Sequence, residues 1–366
     1  MIGITLFALL DVFQRPKERQ NYFLKALLLL LLIHLAGELF IYSGAYVYAP
    51  YLAGAQFPFR VLLGAALYHY AHATMSSDTL VDKRVVATTF IGPVLVLLIM
   101  APFIFLISPE EKLALANPET RDPQLWKIAL FTCTATTFIF ISYTVFFLYK
   151  ALKLQNSHHQ QLLERFSDIE QKSLDWFKPV LIVWGIVWLM YAFEFFINAL
   201  GFRWFGSGII LPFLEVIALA VFIQKALSQK KLNQSDKGIP HSTKFSKKHR
   251  AALISDEKMQ LIASKLERIM KSDKIFLEEN LSLNQLSESI AETENHISET
   301  LSQHLNTNFF QYVNNFRIEE AKLALHDKNK LITNIAYEVG FNSKTTFNTA
   351  FKKIVGHSPS AYRNSL

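Results

Sequence analysis

Long apolar runs divide the first 224 residues into segments of helical length. A helix needs about 20 mainly apolar residues to cross the roughly 30 Å hydrocarbon core of a bilayer. Runs that meet this length predict membrane-spanning helices at residues 22–42, 59–75, 85–107, 128–149, 179–200 and 208–224. Residues 1–13 are also apolar but too short to span alone, so the pattern predicts six or seven helices in a membrane domain of residues 1–228.

Composition supports this prediction. Hydrophobic residues make up 51% of the chain and charged residues only 18%, which is unusual for a soluble globular protein. Cys133 is the single cysteine, so a disulfide within the chain and a thiolate metal cluster are both excluded.

Lysine and arginine accumulate in alternate loops, and such loops stay on the cytoplasmic side of a membrane. The basic loops carry Arg15, Lys17, Arg19, Lys83, Arg84, Lys150, Lys153, Arg165, Lys172 and Lys178. The opposite loops carry only Lys112, Arg121 and Arg203, together with Glu110, Glu111, Glu119 and Asp122. This asymmetry predicts a multi-pass protein of a bacterial inner membrane with its C-terminal part in the cytoplasm.

Several ionisable residues lie inside the predicted spans, where an unpaired charge costs several kcal/mol. They are His34, Glu38, His69, His72, Glu194 and Glu215. Three interpretations stay open: hydrogen bonds that hold helices together, a pocket for a signal, or a metal held by His69 and His72. We expect neither a metal nor a cofactor, because no fuller ligand set accompanies the two histidines.

A polar, basic stretch follows the last apolar run. Residues 225–250 contain eight lysines and arginines against the single Asp236, whereas residues 251–366 are close to neutral. We predict that residues 229–254 form a flexible cytoplasmic linker, because such a segment cannot bury a core. Its lysines have two plausible partners, the anionic lipid surface and the phosphates of DNA.

Residues 255–366 show helical spacing of apolar positions, and a short-helix, tight-turn, short-helix pattern occurs twice. The first copy runs from Leu283 to Leu305 and the second from Ile332 to Phe351. Gly340 fits a left-handed helix end, and Asn342 or Ser343 fits the cap of the next helix. The pattern predicts two helix-turn-helix units joined by a longer helix.

The second copy also resembles a known family. The run from Ile335 to Phe341, followed by Phe347, Gly356, Pro359 and Tyr362, is similar to the signature of AraC-type regulators. The resemblance covers roughly the last hundred residues. It implies a DNA-binding domain whose two units place their second helices in adjacent major grooves.

The outward positions of each second helix are the candidate DNA contacts, since core positions cannot reach the bases. In the second unit they are Ser343, Lys344, Thr345, Asn348 and Thr349, with Lys352, Lys353 and Arg363 placed for phosphates. The resemblance assigns base reading to Lys344, Thr345 and Thr349. The alternative is that these residues are merely solvated.

The first unit departs from this chemistry. Its matching positions are Asn295, Ser298 and Glu299, but residues 281–308 contain no lysine or arginine and four glutamates. Ala291 also replaces the usual turn glycine. We predict that the second unit dominates DNA affinity, because carboxylates repel phosphate. The first unit then either contributes little or reads cytosine at one position, since a glutamate can accept a hydrogen bond from the cytosine amino group.

The sequence therefore predicts an all-α protein: a polytopic transmembrane bundle plus a C-terminal domain with two helix-turn-helix units. The predicted function is a membrane-bound transcription regulator that couples a membrane or envelope signal to sequence-specific control. Expected partners are double-stranded DNA, the lipid bilayer, a second copy of the chain on DNA and an unknown small molecule or envelope signal. RNA polymerase is a further partner if the protein activates transcription. Alternatives are a transporter or enzyme with a fused regulatory domain, or a passively tethered regulator. We expect that the protein is not an enzyme, because its sequence contains no glycine-rich phosphate-binding loop, no zinc-binding helix motif and no nucleophile elbow.

Overall fold

The computed structural model describes residues 1–76, 81–117, 119–169, 173–199, 210–229 and 254–366. Within these residues the protein is all-α and contains no β-strand beyond one isolated bridge. The chain separates into two compact units. Unit 1 comprises Met1–Asn156 and Leu174–His241, and unit 2 comprises Ser157–Ser173 and Ser242–Leu366.

Unit 1 contains the apolar helices. In chain order they are α1 (Ile2–Gln14), α2 (Arg19–Tyr42), α3 (Phe57–Met75), α4 (Lys83–Ala101), α5 (Pro109–Ala116), α6 (Pro123–Arg165), α7 (Phe177–Ala199) and α8 (Ile210–Ser228). A π-helical turn, Pro102–Leu106, extends α4. Each run predicted to span corresponds to one of these helices, whereas the loop helix α5 was not predicted. The α6 helix is also longer than its predicted span, and its last residues belong to unit 2.

Four helices are long and apolar enough to cross a membrane: Arg19–Tyr42, Lys83–Leu106, Pro123–Arg165 and Phe177–Glu194. Large apolar side chains on these helices point outward, with Phe131 69% and Phe138 72% exposed on α6. The α1 helix is apolar but shorter. Most of the predicted linker, residues 230–253, lies outside the described residues, and so do Lys172 and Arg203.

Unit 2 contains the remaining helices. They are α9 (Asp256–Ser272), α10 (Leu283–Ile290), α11 (Glu294–Glu299), α12 (Phe309–Ala324), α13 (Ile332–Glu338), α14 (Lys344–Val355) and α15 (Pro359–Asn364). The α11 helix continues as a π-helical turn, Thr300–His304. Two separate apolar cores form. One gathers α9 to α11 with the start of α12, and the other gathers the end of α12 with α13 to α15.

The same turn ends the first helix of each helix-turn-helix pair. Gly340 has φ 93° and donates to Tyr337 O at 3.0 Å, and Phe341 N donates to Ala336 O at 3.0 Å. This pattern is a Schellman motif. Ala291 adopts φ 51° and makes the equivalent bond to Glu288 O at 3.4 Å. The first unit therefore keeps the turn without its glycine, at a strain of about 1–2 kcal/mol.

Gly340 has a second constraint, and this yields a prediction. A Cβ at Gly340 would lie 2.8 Å from the carbonyl oxygens of both Phe276 and Leu277, whereas a Cβ at Gly356 (φ 88°) would meet no atom within 4 Å. We expect Gly356→Ala to lower the free energy of unfolding by about 1–2 kcal/mol through backbone strain alone. Gly340→Ala should cost clearly more, because backbone must also move. Denaturant unfolding followed by circular dichroism checks this, and equal losses for the two variants would contradict it.

Candidate functional site

A buried arginine lies between the two cores of unit 2. Arg317 on α12 is fully buried. Its Nε donates to Phe276 O at 2.7 Å and its Nη2 donates to Glu278 O at 2.6 Å. The guanidinium also lies over the ring of Phe341, 5.5 Å from its centroid. Burial lowers the pKa of Arg317 to about 10, so it remains charged at neutral pH.

The last residues of α6 and the residues that follow them complete this arrangement. We call residues 162–169 the docking segment. Ser167 Oγ accepts a hydrogen bond from Arg317 Nη2 at 3.1 Å and donates to Leu281 O at 2.8 Å. Asn314 Nδ2 donates to Ser167 O at 3.3 Å, and Asn342 Nδ2 donates to the carboxylate of Asp168. Sequence reasoning missed these contacts, because nothing local to residue 167 indicates a partner 150 residues away.

The second helix-turn-helix unit presents most of its predicted contact residues outward on α14. Lys344, Thr345, Thr349, Lys352 and Lys353 are exposed, and Asn348 is half-buried. The predicted DNA contacts therefore share one accessible helix that begins at Lys344.

Ser343 has a structural task. Its Oγ caps α14 by accepting a hydrogen bond from Thr346 N at 3.1 Å, and it also bonds the Thr346 hydroxyl at 2.9 Å. Since the hydroxyl is already engaged, its first role is to start the helix that carries Lys344.

Arg363 on α15 is half-buried, and two of its guanidinium nitrogens, Nε and Nη2, are buried without a hydrogen-bond partner. Buried guanidinium nitrogens normally find acceptors. A phosphate oxygen is an acceptor of the right charge and geometry for this side chain.

The first unit places its predicted contacts on the short α11. Asn295 is exposed, while Ser298 and Glu299 are half-buried. Glu299 Oε1 accepts a hydrogen bond from Gln303 Nε2 at 3.3 Å, so its carboxylate is partly engaged within the same unit.

Another acidic residue of the first unit is paired. Glu292 lies 2.9 Å from Lys265 Nζ and 3.8 Å from Lys258 Nζ, both on α9, and 3.6 Å from His296 Nδ1. The hydrogen bond from Lys265 is the main cause that holds the pKa of Glu292 below its ordinary value. The acidity expected from residues 281–308 is therefore partly compensated by lysines that precede that range.

A polar cluster forms inside unit 1 around three of the six predicted intramembrane residues. His34 Nε2 lies 3.5 Å from Glu215 Oε1, and His34 Nδ1 lies 3.9 Å from Glu38 Oε1. Arg60 Nη1 approaches Glu38 Oε1 at 3.5 Å, and Tyr191 donates to Glu215 at 3.2 Å. The cluster joins α2, α3, α7 and α8, so the helix-packing interpretation accounts for these bonds.

A cavity of about 250 Å³ adjoins this cluster. Glu38, Arg60, Tyr191 and Glu194 contribute to its wall, so Glu194, the third predicted carboxylate, also belongs here. Thr136 lines the same cavity, and its buried hydroxyl has no hydrogen-bond partner. The wall combines charged, hydroxyl and aromatic groups, which is the composition of a small-molecule pocket.

The other two predicted residues lie elsewhere on α3. His69 Nε2 is 2.9 Å from Thr89 Oγ1, and His72 Nδ1 is 3.0 Å from Arg19 Nη2. No group of three or more metal-ligating side chains occurs among the described residues. His69 and His72 each form a side-chain hydrogen bond in this structure.

Comparison with known proteins places a family match on unit 2. A family profile described as a helix-turn-helix domain matches residues 286–365, which run from within α10 to the end of α15. An HTH-type transcriptional regulator of Staphylococcus aureus, named as uncharacterized, is 33% identical over 112 residues, covering 31% of this chain and 14% of that protein. The raffinose operon transcriptional regulatory protein RafR of Pediococcus pentosaceus is 40% identical over 63 residues, covering 17% of this chain and 23% of that protein.

Among solved structures, the C-terminal domain of AraT, a response regulator from Geobacillus stearothermophilus, matches with 28% identity and a TM-score of 0.27. The match covers 29% of this chain and 85% of that one. The chain spans less than a quarter of the length of either curated relative. The family profile identifies residues 286–365 as a helix-turn-helix domain.

The cap of α14 gives a prediction that separates its structural and recognition residues. Ser343→Ala should lower the free energy of unfolding by about 1 kcal/mol, because Thr346 N loses its acceptor. Thr345→Ala, at the exposed second position of α14, should change the free energy of unfolding by less than about 0.5 kcal/mol. Thermal or denaturant unfolding measures both. Unchanged stability in Ser343→Ala would show that the hydroxyl does not cap the helix.

Proposed function

We propose that this chain is a DNA-binding transcription regulator held in a bacterial inner membrane. The observation that carries the proposal is α14, which follows a Schellman turn and exposes Lys344, Thr345 and Thr349 beside Lys352 and Lys353. A helix of this kind can enter the major groove with its N-terminal residues at the bases and its lysines near phosphates. The names of the relatives support the same function.

The membrane part of the proposal is supported by the four long apolar helices and their outward-facing apolar side chains. Such exposure would be costly in water and is favourable in lipid. The alternation of basic loops supports a cytoplasmic position for the helix-turn-helix domain, where it would have access to double-stranded DNA.

Signal coupling is the finer part of the proposal. The cavity beside His34, Glu38 and Glu194 is the candidate site for a small-molecule or envelope signal. A ligand that binds one arrangement of α2, α3, α6 and α7 better than another would shift the populations of those arrangements. The output would be DNA binding, with a second copy of the chain on the operator and with RNA polymerase as a partner if the effect is activation.

The two units differ in charge, and this predicts a difference in their contribution to DNA binding. Lys344→Ala should weaken binding about tenfold, because a base or phosphate contact is lost. Glu299→Ala should leave affinity unchanged or improve it, since a carboxylate near phosphate is removed. The measurement is fluorescence anisotropy with the tightest duplex that the wild-type chain selects from a random library.

A matched control for charge loss is Lys271→Ala. Lys271 is on α9 and pairs with Glu267 of its own helix at 2.5 Å. It should leave affinity within about twofold of the wild type at one fixed salt concentration. A larger loss from Glu299→Ala than from Lys344→Ala would show that the first unit dominates binding.

Genome-wide mapping tests the function itself. Chromatin immunoprecipitation with sequencing of the full-length chain should recover discrete sites, and Lys344→Ala should deplete them. A second version replaces residues 1–228, the predicted membrane domain, with an unrelated multi-pass anchor whose C-terminus also lies in the cytoplasm. The sensor proposal predicts that the sites remain while regulation of the adjacent genes is lost.

The outcomes of the mapping experiment differ in meaning. Unchanged regulation with the unrelated anchor would reduce unit 1 to a passive tether. Absence of specific sites with the wild-type chain would contradict the transcription-regulator proposal as a whole.

A further inference from the structure

The docking segment makes a specific contact with the helix-turn-helix domain. Phe166 forms an antiparallel bridge with Ser282, and Ser167 N donates to Leu281 O at 3.1 Å. Leu162, Phe166 and Ile169 are buried in an apolar cluster that includes Phe310 of α12. Backbone pairing, side-chain hydrogen bonds and apolar burial thus act together over eight residues.

This contact reaches both helix-turn-helix units at once. Ser282, opposite Phe166, is the N-cap of α10 in the first unit. Asn342, bonded to Asp168, directly precedes Ser343, the N-cap of α14 in the second unit. The docking segment therefore contacts the N-terminus of α10 in the first helix-turn-helix unit and the N-terminus of α14 in the second.

The docking segment brings a negative charge to a surface that would otherwise attract the phosphates of DNA. Helix N-termini attract phosphates through their free N–H groups and positive dipole ends. The Asp168 carboxylate places a negative charge beside the start of α14, and the Phe166 backbone occupies the start of α10. A phosphate backbone approaching either start would meet repulsion or an occupied surface.

We propose that the docking segment is an autoinhibitory element of this chain, and that its binding to the helix-turn-helix domain and the binding of duplex DNA exclude each other. The inference rests on the proposed DNA-binding function. Release of residues 162–169 frees the starts of α10 and α14, and DNA binding in turn expels the segment, since the coupling of two binding events is reciprocal.

The covalent structure connects this element to the apolar helices. The docking segment begins inside α6, which runs without interruption from Pro123 to Arg165 and carries Thr136 in the cavity wall. A displacement or rotation of α6 is transmitted along a continuous helix to Phe166. The inference therefore gives the signal-coupling proposal a physical output.

A disulfide tests the exclusion directly. The bond from Ser167 N to Leu281 O makes Phe166 and Ser282 a non-hydrogen-bonded antiparallel pair, in which Cα atoms lie about 4.5 Å apart. That spacing suits a disulfide. The variant is Phe166→Cys with Ser282→Cys in a Cys133→Ser background, as the full chain in lipid nanodiscs. The probe is a fluorescein-labelled 30-base-pair DNA duplex of mixed sequence.

We expect the oxidised variant to bind the duplex at least about tenfold more weakly than the same protein after reduction, within the usual range of allosteric coupling. Excess duplex should also slow disulfide formation in the reduced variant. Phe166→Cys alone, treated with the same oxidant, controls for oxidation. Equal affinity of oxidised and reduced protein would overturn the inference.

A matched pair of charge variants tests it without a cross-link. Asp168→Asn removes the carboxylate at Asn342 and should raise duplex affinity several-fold. Glu164→Gln removes an equal charge from an exposed position of the same segment and should have a much smaller effect. Equal effects of the two variants would attribute the gain to general charge and contradict docking.

Failure of the proposed function gives a different result. In that case the wild-type, reduced and Asp168→Asn proteins would all fail to bind the duplex at low salt. This result would contradict both the DNA-binding function and the autoinhibition that rests on it. If the reduced protein binds and the oxidised protein binds equally, only autoinhibition is wrong.

Discussion

The C-terminal domain depends on one buried positive charge. Burying a guanidinium is costly unless each of its N–H groups finds an acceptor. Arg317 meets this demand with the carbonyls of Phe276 and Glu278, the amide of Asn314 and the hydroxyl of Ser167. Because these acceptors come from separate parts of the chain, their positions are fixed relative to one another by a single side chain.

The same constraint explains how two small cores make one domain. The α12 helix contributes Phe309 and Val313 to the first core, and Ile318 and Ala321 to the second. Each core alone is small for an independent fold. Arg317 lies between these two sets on α12, so its bonds to residues 276–278 tie the segment before α10 to the middle of the joining helix. Gly340 of the second helix-turn-helix unit lies close to the carbonyls of Phe276 and Leu277, and the Phe276 carbonyl is the one that also accepts from Arg317.

Sequence periodicity predicted the elements that depend on nearby residues. The apolar spacing located the predicted spans and the paired helices of the two helix-turn-helix units; Gly340 was predicted as the end of α13, and Asn342 or Ser343 as the cap of α14. These features are encoded within one or two helical turns. The π-helical continuation of α11 was not predicted, because the same apolar spacing fits an α-helix.

Contacts between residues far apart in the sequence could not be predicted from apolar spacing. The pairing of Lys265 with Glu292 and the contact of Ser167 with Arg317 require the tertiary fold, since neither residue type nor spacing selects these partners. The intramembrane residues show both cases. His34 and Glu38 are four residues apart on one helix, so their proximity follows from the sequence, whereas Glu215 joins them from another helix. The six ionisable positions could be found from sequence, but their division into one cluster and two separate histidines could not.

The two helix-turn-helix units share the same backbone turn although the residue at its left-handed position differs. The backbone conformation is therefore retained where the side chain is not. Ala291 adopts the left-handed conformation that Gly340 adopts freely, so the first unit retains the turn at an energetic cost. Such a cost persists only where the surrounding packing enforces it, and Ile290 and Ile297 on either side of this turn are both buried. On the proposed function the first unit serves mainly as a platform. It positions α14 through α12 and Arg317, and its own surface is then available for the docking segment.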